Sequence, residues 1–138
     1  MIKEGQKLPS FKLKNQKDEE VKLPTKEDTV IYFYPKADTP GCTKESCDFQ
    51  SNLRTLINLK VRVYGISKAT VQKQNKFAEK YRLKFDLLSD DSDNICEKFG
   101  VWIKKSMNGR TYTGIDRSTF LIMNGKVVMD WRHVKAIN

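Results

Sequence analysis

The sequence contains little of what several common protein classes require. It has one histidine and three cysteines in 138 residues, and they show none of the ligand spacings of a structural zinc site. No apolar run approaches the roughly 18 residues that a membrane-spanning helix needs, and the first residues lack the apolar core of a secretory signal. We therefore expect a cytoplasmic protein, in which an odd number of cysteines argues against a framework of structural disulfides.

The length and composition indicate one folded domain, which we expect to span residues 1–138. Hydrophobic residues at 38% and aromatic residues at 10% are typical of a globular chain rather than a disordered one. The formal net charge of +9 comes from scattered lysines, without a long basic tract or a nucleic-acid-binding motif. A solvated lysine-rich surface is therefore favoured, and a non-enzymatic basic module that binds nucleic acid stays as an alternative.

The hydrophobic pattern alternates between the periods of strands and helices. It predicts an amino-terminal hairpin, a mixed sheet and helices that cover the sheet, which together indicate a thioredoxin-like three-layer α/β sandwich. The stretch between residues 100 and 117 is expected to be irregular, and Ser67 is expected to cap the second helix. The predicted elements are strands 11–14, 21–23, 29–34, 61–67, 85–88, 118–123 and 126–131, and helices that open near Gly41, cover 70–81, and cover 92–99 up to Gly100.

Cys42 lies where a nucleophilic cysteine would be expected. It follows a predicted buried strand and the loop that begins at Pro35, and it falls in the first turn of the next helix. The free N–H groups and the positive dipole end of such a turn favour a thiolate over a thiol. We therefore interpret Cys42 as reactive rather than as a small buried apolar residue.

Cys47 follows Cys42 by five positions in the same predicted helix. The Cα atoms of such a pair lie about 8.7 Å apart in an ideal helix, whereas a disulfide rarely tolerates more than about 7 Å. A disulfide between them would therefore require the first turns of the helix to unwind. The spacing is not that of a Cys-x-x-Cys motif, which speaks against the alternative of a thiol–disulfide oxidoreductase or redox chaperone on the same fold.

Three further residues are expected to have structural rather than catalytic roles. A Cys–His hydrolase would depend on His133, but nothing in the sequence ties it to the reactive cysteine, so a surface histidine is favoured. Cys96 lies in a short predicted helix where a cysteine can simply pack. Trp102 could line the active site, but plain packing is favoured for an apolar residue.

The residues around Cys42 carry a specific resemblance. The pattern Pro-x-x-x-Thr-x-x-Cys-x-x-Glu, from Pro35 to Glu45, resembles the active-site motif of peroxiredoxins. The longer stretch 32–49 resembles the bacterioferritin comigratory protein, or peroxiredoxin Q, subfamily. Further matches at 99–102, 117–122 and 131–135 extend the resemblance over nearly the whole chain, from Gly5 to Lys135.

The resemblance implies a function for the cysteine pair. Cys42 would be the peroxidatic cysteine that becomes a sulfenic acid, and Cys47 the resolving cysteine that converts it to an intramolecular disulfide. The expected enzyme reduces hydrogen peroxide and organic hydroperoxides in antioxidant defence and is recycled by thioredoxin or a similar dithiol protein. No cofactor, metal, membrane or specific nucleic acid is expected, and the protein is expected to be a monomer, with self-association as the alternative.

The resemblance also implies a pocket around the reactive sulfur. Thr39 matches the residue whose hydroxyl bonds the thiolate and the peroxide, and Pro35 matches the one that shields the site from water. Arg117 matches the arginine that completes the pocket, and Glu45 the carboxylate that orients it, while Gly41 borders the bound substrate. A fixed guanidinium and backbone N–H groups would stabilise the charge that develops on the departing oxygen.

The sequence departs from the family pattern in two places. The turn near Asp18 lacks the usual glycine, which affects only the hairpin. These proteins normally continue into another helix beyond the position of Asn138, so we expect the single domain to lack the family's carboxy-terminal helix. Such a loss would expose an apolar face of the sheet and favour self-association.

Overall fold

The chain folds around one large mixed β-sheet. The computed structural model describes residues 1–134, so the expected match at Lys135 and the expected end of the fold at Asn138 lie outside the described residues. In chain order, the elements are β1 (Phe11–Lys14), β2 (Glu20–Leu23), β3 (Asp28–Phe33), α1 (Pro40–Ser51), α2 (Leu53–Asn58), β4 (Val61–Ser67), α3 (Val71–Tyr81), β5 (Asp86–Ser89), α4 (Ile95–Lys98), β6 (Trp102–Met107), β7 (Arg110–Ile115), β8 (Ser118–Met123) and β9 (Lys126–Trp131).

The strand order confirms the predicted mixed sheet and its amino-terminal hairpin. Seven strands follow one another as β2-β1-β5-β4-β3-β8-β9. β3, β4 and β5 run parallel, as expected for strands joined through helices. β8 lies antiparallel to β3 and to β9, and the β1–β2 hairpin lies on the opposite edge. β3 is therefore held on both sides by neighbouring strands.

β3 separates two hydrophobic cores because its side chains alternate between the two faces of the sheet. Ile31 and Phe33 belong to the core beneath α4, whereas Tyr32 packs in the core formed with α1 and α3. The neighbouring strand accommodates Tyr32 through Gly65. A Cβ atom at Gly65 would lie 2.7 Å from Cζ of Tyr32, so a larger residue there would collide with the ring.

The helices differ from the predictions at their ends. The predicted helix after Gly41 is divided at Asn52 into α1 and α2. The expected cap at Ser67 is wrong: Thr70 caps α3 by accepting from the N–H of Lys73, and Ser67 instead accepts from the Gln74 side chain. α4 is shorter than the predicted 92–99 helix. Within residues 1–134, no helix is long and apolar enough to cross a membrane.

The expected irregular stretch after Gly100 is wrong, because β6 and β7 form a separate two-stranded sheet. Asn108 and Gly109 form its turn, and both have a positive φ, which an Asn-Gly hairpin turn requires. Most side chains of both strands are exposed, so they lack the apolar alternation that would have indicated strands. Trp102 lies partly exposed on β6, where its ring packs beneath the ammonium group of Lys68.

Candidate active site

The structure places Cys42 in the first turn of α1, which follows the central strand β3 after a short loop. Thr39 precedes the helix in an extended conformation, and Pro40 occupies the first helical turn, where a missing N–H costs nothing. The Cys42 side chain is 1% exposed. The strand-to-helix junction inferred from the sequence is therefore present, and it holds the sulfur inside the protein near the positive end of the helix.

Arg117 brings the reactive sulfur and a carboxylate together. Nη2 of Arg117 donates to Sγ of Cys42 at 3.2 Å, and Nη1 donates to Oε1 of Glu45 at 2.6 Å. Both charged side chains are mostly shielded from solvent, with 13% of Arg117 and 11% of Glu45 exposed. Arg117 immediately precedes β8, so the antiparallel pairing of β8 with β3 carries it across 75 residues of sequence to α1.

Burial and mutual contacts shift the pKa values of the two charged residues in this cluster. Burial raises the pKa of Glu45 above its usual value, and the positive charge of Arg117 offsets this increase only in part. Burial alone would lower the pKa of Arg117, but its interactions with Cys42 and Glu45 raise that pKa above the ordinary arginine value. Arg117 therefore stays cationic at neutral pH.

The other predicted pocket residues lie on the loop before α1. Thr39 Oγ1 donates to the backbone oxygen of Lys36 at 2.9 Å and makes no cap bond to the helix. Pro35 is exposed, and Gly41 is half-buried next to Cys42. Within residues 1–134, Arg117 is the side chain that hydrogen-bonds to the Cys42 sulfur.

The remaining cysteines occupy very different surroundings. All three thiols are free. Cys47 is half-buried and lies in the same unbroken helix as Cys42, so the ideal-helix separation of about 8.7 Å applies to the pair. Cys96 is fully buried, and burial, together with the nearby Asp90 carboxylate, raises the pKa of its thiol. Its position in the core agrees with the expected packing role.

His133 lies at the surface, as predicted. Its side chain is 75% exposed, and Nδ1 lies 2.7 Å from Oδ2 of Asp116. Within the part of the chain that the structure describes, no group of three or more histidine, cysteine or acidic residues is placed to hold a metal ion.

Sequence reasoning missed a polar contact beneath α1. The hydroxyl groups of Tyr32 and Ser46 lie 2.7 Å apart, and both side chains are fully buried. The ring of Tyr32 also stacks on Phe49, with 4.6 Å between the ring centroids. A tyrosine within a predicted buried strand could have indicated such a contact, because a buried phenolic hydroxyl usually finds a partner.

Comparisons with known proteins agree with this geometry. The model of the AhpC/TSA family matches residues 4–130. Peroxiredoxin Bcp of Bacillus subtilis is 44% identical over 98% of this chain and 88% of the relative. Peroxiredoxin Bcp of Escherichia coli K12 is 45% identical over 91% of this chain and 83% of the relative.

Solved structures are similar over the same region. PrxQ of Xylella fastidiosa superposes with a TM-score of 0.93 and 31% identity, over 99% of this chain and 89% of that one. The bacterioferritin comigratory protein of Xanthomonas campestris, described for its alkyl peroxide reduction activity, gives a TM-score of 0.86 and 36% identity, over 91% of this chain and 82% of that one. The likeness therefore includes both the sheet and the helix that carries Cys42.

Proposed function

The chain belongs to the AhpC/TSA family, and from this premise we propose which residues carry out its chemistry. It is a peroxiredoxin, a thiol peroxidase on a thioredoxin fold. The family uses a peroxide as substrate and a thioredoxin-like protein as reductant. The observation that carries the residue assignment is the pair of bonds from Arg117 to Cys42 and Glu45.

In the first step, the Cys42 thiolate attacks the terminal oxygen of the hydroperoxide. A sulfur–oxygen bond forms and the oxygen–oxygen bond breaks, so Cys42 is oxidised to a sulfenic acid and the peroxide is reduced to water or an alcohol. The departing oxygen takes up a proton as it leaves. Arg117 already points at the sulfur, and Glu45 fixes the other arm of its guanidinium, so the cation stabilises the charge that develops in the transition state.

In the second step, the Cys47 thiolate attacks the sulfur of the Cys42 sulfenic acid. A disulfide bond forms, the sulfur–oxygen bond breaks, and the hydroxide leaves as water after protonation. Because both residues lie in one helix, residues 42–47 have to unwind before the two sulfurs meet. Thioredoxin or a similar dithiol protein then reduces the disulfide by thiol–disulfide exchange.

Three loop residues complete the proposed pocket. Gly41 leaves room for the peroxide next to Cys42, and Pro35 limits the approach of water once the substrate is bound. Thr39 contacts the peroxide after its hydroxyl rotates away from Lys36, to which it now donates. The electrons come from thiols alone, so the cycle needs no cofactor.

The proposed cellular location and oligomeric state of the enzyme follow from the same chemistry. A cytoplasmic location would keep its thiols reduced between turnovers. One chain contributes every proposed catalytic residue, so the enzyme is proposed to act as a monomer on hydrogen peroxide and organic hydroperoxides.

Peptide mass mapping after oxidation tests this assignment. The reduced protein is treated with one equivalent of hydrogen peroxide, and a disulfide between Cys42 and Cys47 is the expected product. Cys42→Ser should abolish peroxide-dependent oxidation of thioredoxin, whereas Cys47→Ser should stop after one turnover with a sulfenic acid on Cys42. The control Cys96→Ala should keep its turnover. A disulfide between Cys42 and Cys96 as the main product would contradict the assignment of Cys47.

A further inference from the structure

Helix α1 lacks two common stabilising features at the end where it carries Cys42. Thr39 does not cap it, and its first turn has no acidic residue to balance the positive dipole end. The only fully buried side chains of α1 are those of Cys42 and Ser46, with Phe49 partly buried. The contacts of these buried side chains, together with the bonds from Arg117 to Cys42 and Glu45, therefore hold the first turns of the helix.

The contact between Tyr32 and Ser46 joins α1 to the interior strand β3 of the large sheet. Tyr32 lies on β3, which is hydrogen-bonded to strands on both sides. Its ring is confined between Phe49 and Gly65, and its hydroxyl lies 2.7 Å from that of Ser46. Burial raises the pKa of Tyr32, so the phenol stays protonated, and either hydroxyl can donate in this hydrogen bond.

We propose that Tyr32 and Ser46 are positioning residues for the resolving step, because their hydrogen bond must break before Cys47 can reach oxidised Cys42. Ser46 lies within the segment 42–47 that has to unwind, one residue before the attacking cysteine. Drawing Cys47 toward Cys42 therefore pulls Ser46 away from Tyr32. The inference rests on the proposed pairing of Cys42 with Cys47.

This bond determines how long the sulfenic acid persists. While α1 stays wound, the sulfur of the Cys42 sulfenic acid can attack a second peroxide. The oxygen–oxygen bond of that peroxide breaks, so Cys42 gains an oxygen and becomes a sulfinic acid while the peroxide is reduced to water or an alcohol. Loss of a buried hydrogen bond shifts an opening equilibrium by about 5- to 30-fold. Without the bond, the disulfide should form faster by about that factor, and less sulfinic acid should accumulate.

The test compares Ser46→Ala and Tyr32→Phe with the control Tyr34→Phe. Tyr34 follows the same strand and is also fully buried, but its hydroxyl donates to Gln74 of α3 rather than to α1. Each protein is mixed with one equivalent of peroxide and quenched with an alkylating reagent at successive times. Mass spectrometry then follows the sulfenic acid and the disulfide, and a second series with excess peroxide measures sulfinic acid.

We expect both variants to form the disulfide about 5- to 30-fold faster, with an unchanged first step, and the control to match the wild type. The double variant Tyr32→Phe with Ser46→Ala should be no faster than the faster single variant, because both changes remove one bond. Ser46→Ala is especially informative, since alanine favours a helix more than serine does and would slow unwinding through propensity alone.

Each outcome separates this inference from the proposed function. If the wild type forms no Cys42–Cys47 disulfide, the proposed function fails. If that disulfide forms but Ser46→Ala resolves at the wild-type rate, the role of the hydrogen bond is refuted. Equal acceleration in the control Tyr34→Phe would also refute it, because general destabilisation would then explain the effect.

Discussion

Replacing Arg117 with lysine tests the central geometry of the site. The guanidinium donates through separate nitrogens to Cys42 at 3.2 Å and to Glu45 at 2.6 Å. A lysine keeps the positive charge but carries a single ammonium group, which cannot reproduce this planar fork. Removing one donor from a preorganised charge-stabilising site typically slows a reaction about 10²- to 10³-fold. Because the charge remains, we expect a loss near the lower limit, about 10²-fold or roughly 2.7 kcal/mol.

The assay is a single-turnover, stopped-flow measurement of the second-order rate constant for hydrogen peroxide. Arg132→Lys is the matched control, because the Arg132 guanidinium is also partly buried and donates to the backbone oxygens of Ile2 and Phe99, away from the reactive sulfur. It should lose stability yet react with peroxide at the wild-type rate. Circular dichroism verifies that both variants fold. A loss of less than about 3-fold in Arg117→Lys would refute an electrostatic role of this size.

Two further predictions concern buried carboxylates. Burial raises the pKa of Glu45, so the activity of the wild type should fall as the pH drops through that raised value. Glu45→Gln should not show this loss at low pH and should react about 5-fold more slowly at neutral pH. Rate constants for peroxide measured over a series of pH values test both expectations. Burial would also raise the pKa of Asp90, but the backbone N–H groups of Cys96 and Ile95 donate to it and lower that pKa. Asp90→Ala should therefore reduce the free energy of unfolding by about 2–3 kcal/mol at neutral pH. Denaturant titrations should show this difference between variant and wild type shrinking as the pH falls through the lowered pKa of Asp90. A difference that does not depend on pH would contradict the charge-based explanation.

The reactive cysteine can be predicted from the sequence because the features that indicate it lie next to one another in the chain. A β-branched strand, a loop and the start of a helix are adjacent in the chain, so the position of Cys42 follows from pattern alone. Arg117 lies 75 residues away, and no local pattern distinguishes it from a surface arginine. Only the resemblance to a family indicates its role. The antiparallel pairing of β3 with β8 is what brings it to the site.

The errors have equally specific causes. The β6–β7 hairpin is mostly exposed, so its strands carry no apolar alternation, and Asn108-Gly109 was its remaining signal. Ser67 lies before α3 but does not cap it; the side chain of Gln74 donates to Ser67, and Thr70 occupies the cap position. The bond between Tyr32 and Ser46 joins a strand to a helix. Such contacts depend on how two elements pack, which the periodicity of either one does not specify.

Arg117 and Cys42 are attached to parts of the molecule that differ in stiffness. Arg117 immediately precedes β8, which is paired with strands on both sides, whereas Cys42 lies on a helix with few buried contacts. Under the proposed pairing of Cys42 with Cys47, the helix has to re-form after the disulfide is reduced, next to an arginine whose backbone leads into a strand paired on both sides. Helix formation takes about a microsecond or less, whereas typical enzymes turn over about 1 to 10³ times per second. Re-formation of the helix should therefore take far less time than one turnover and should not limit recovery of the site.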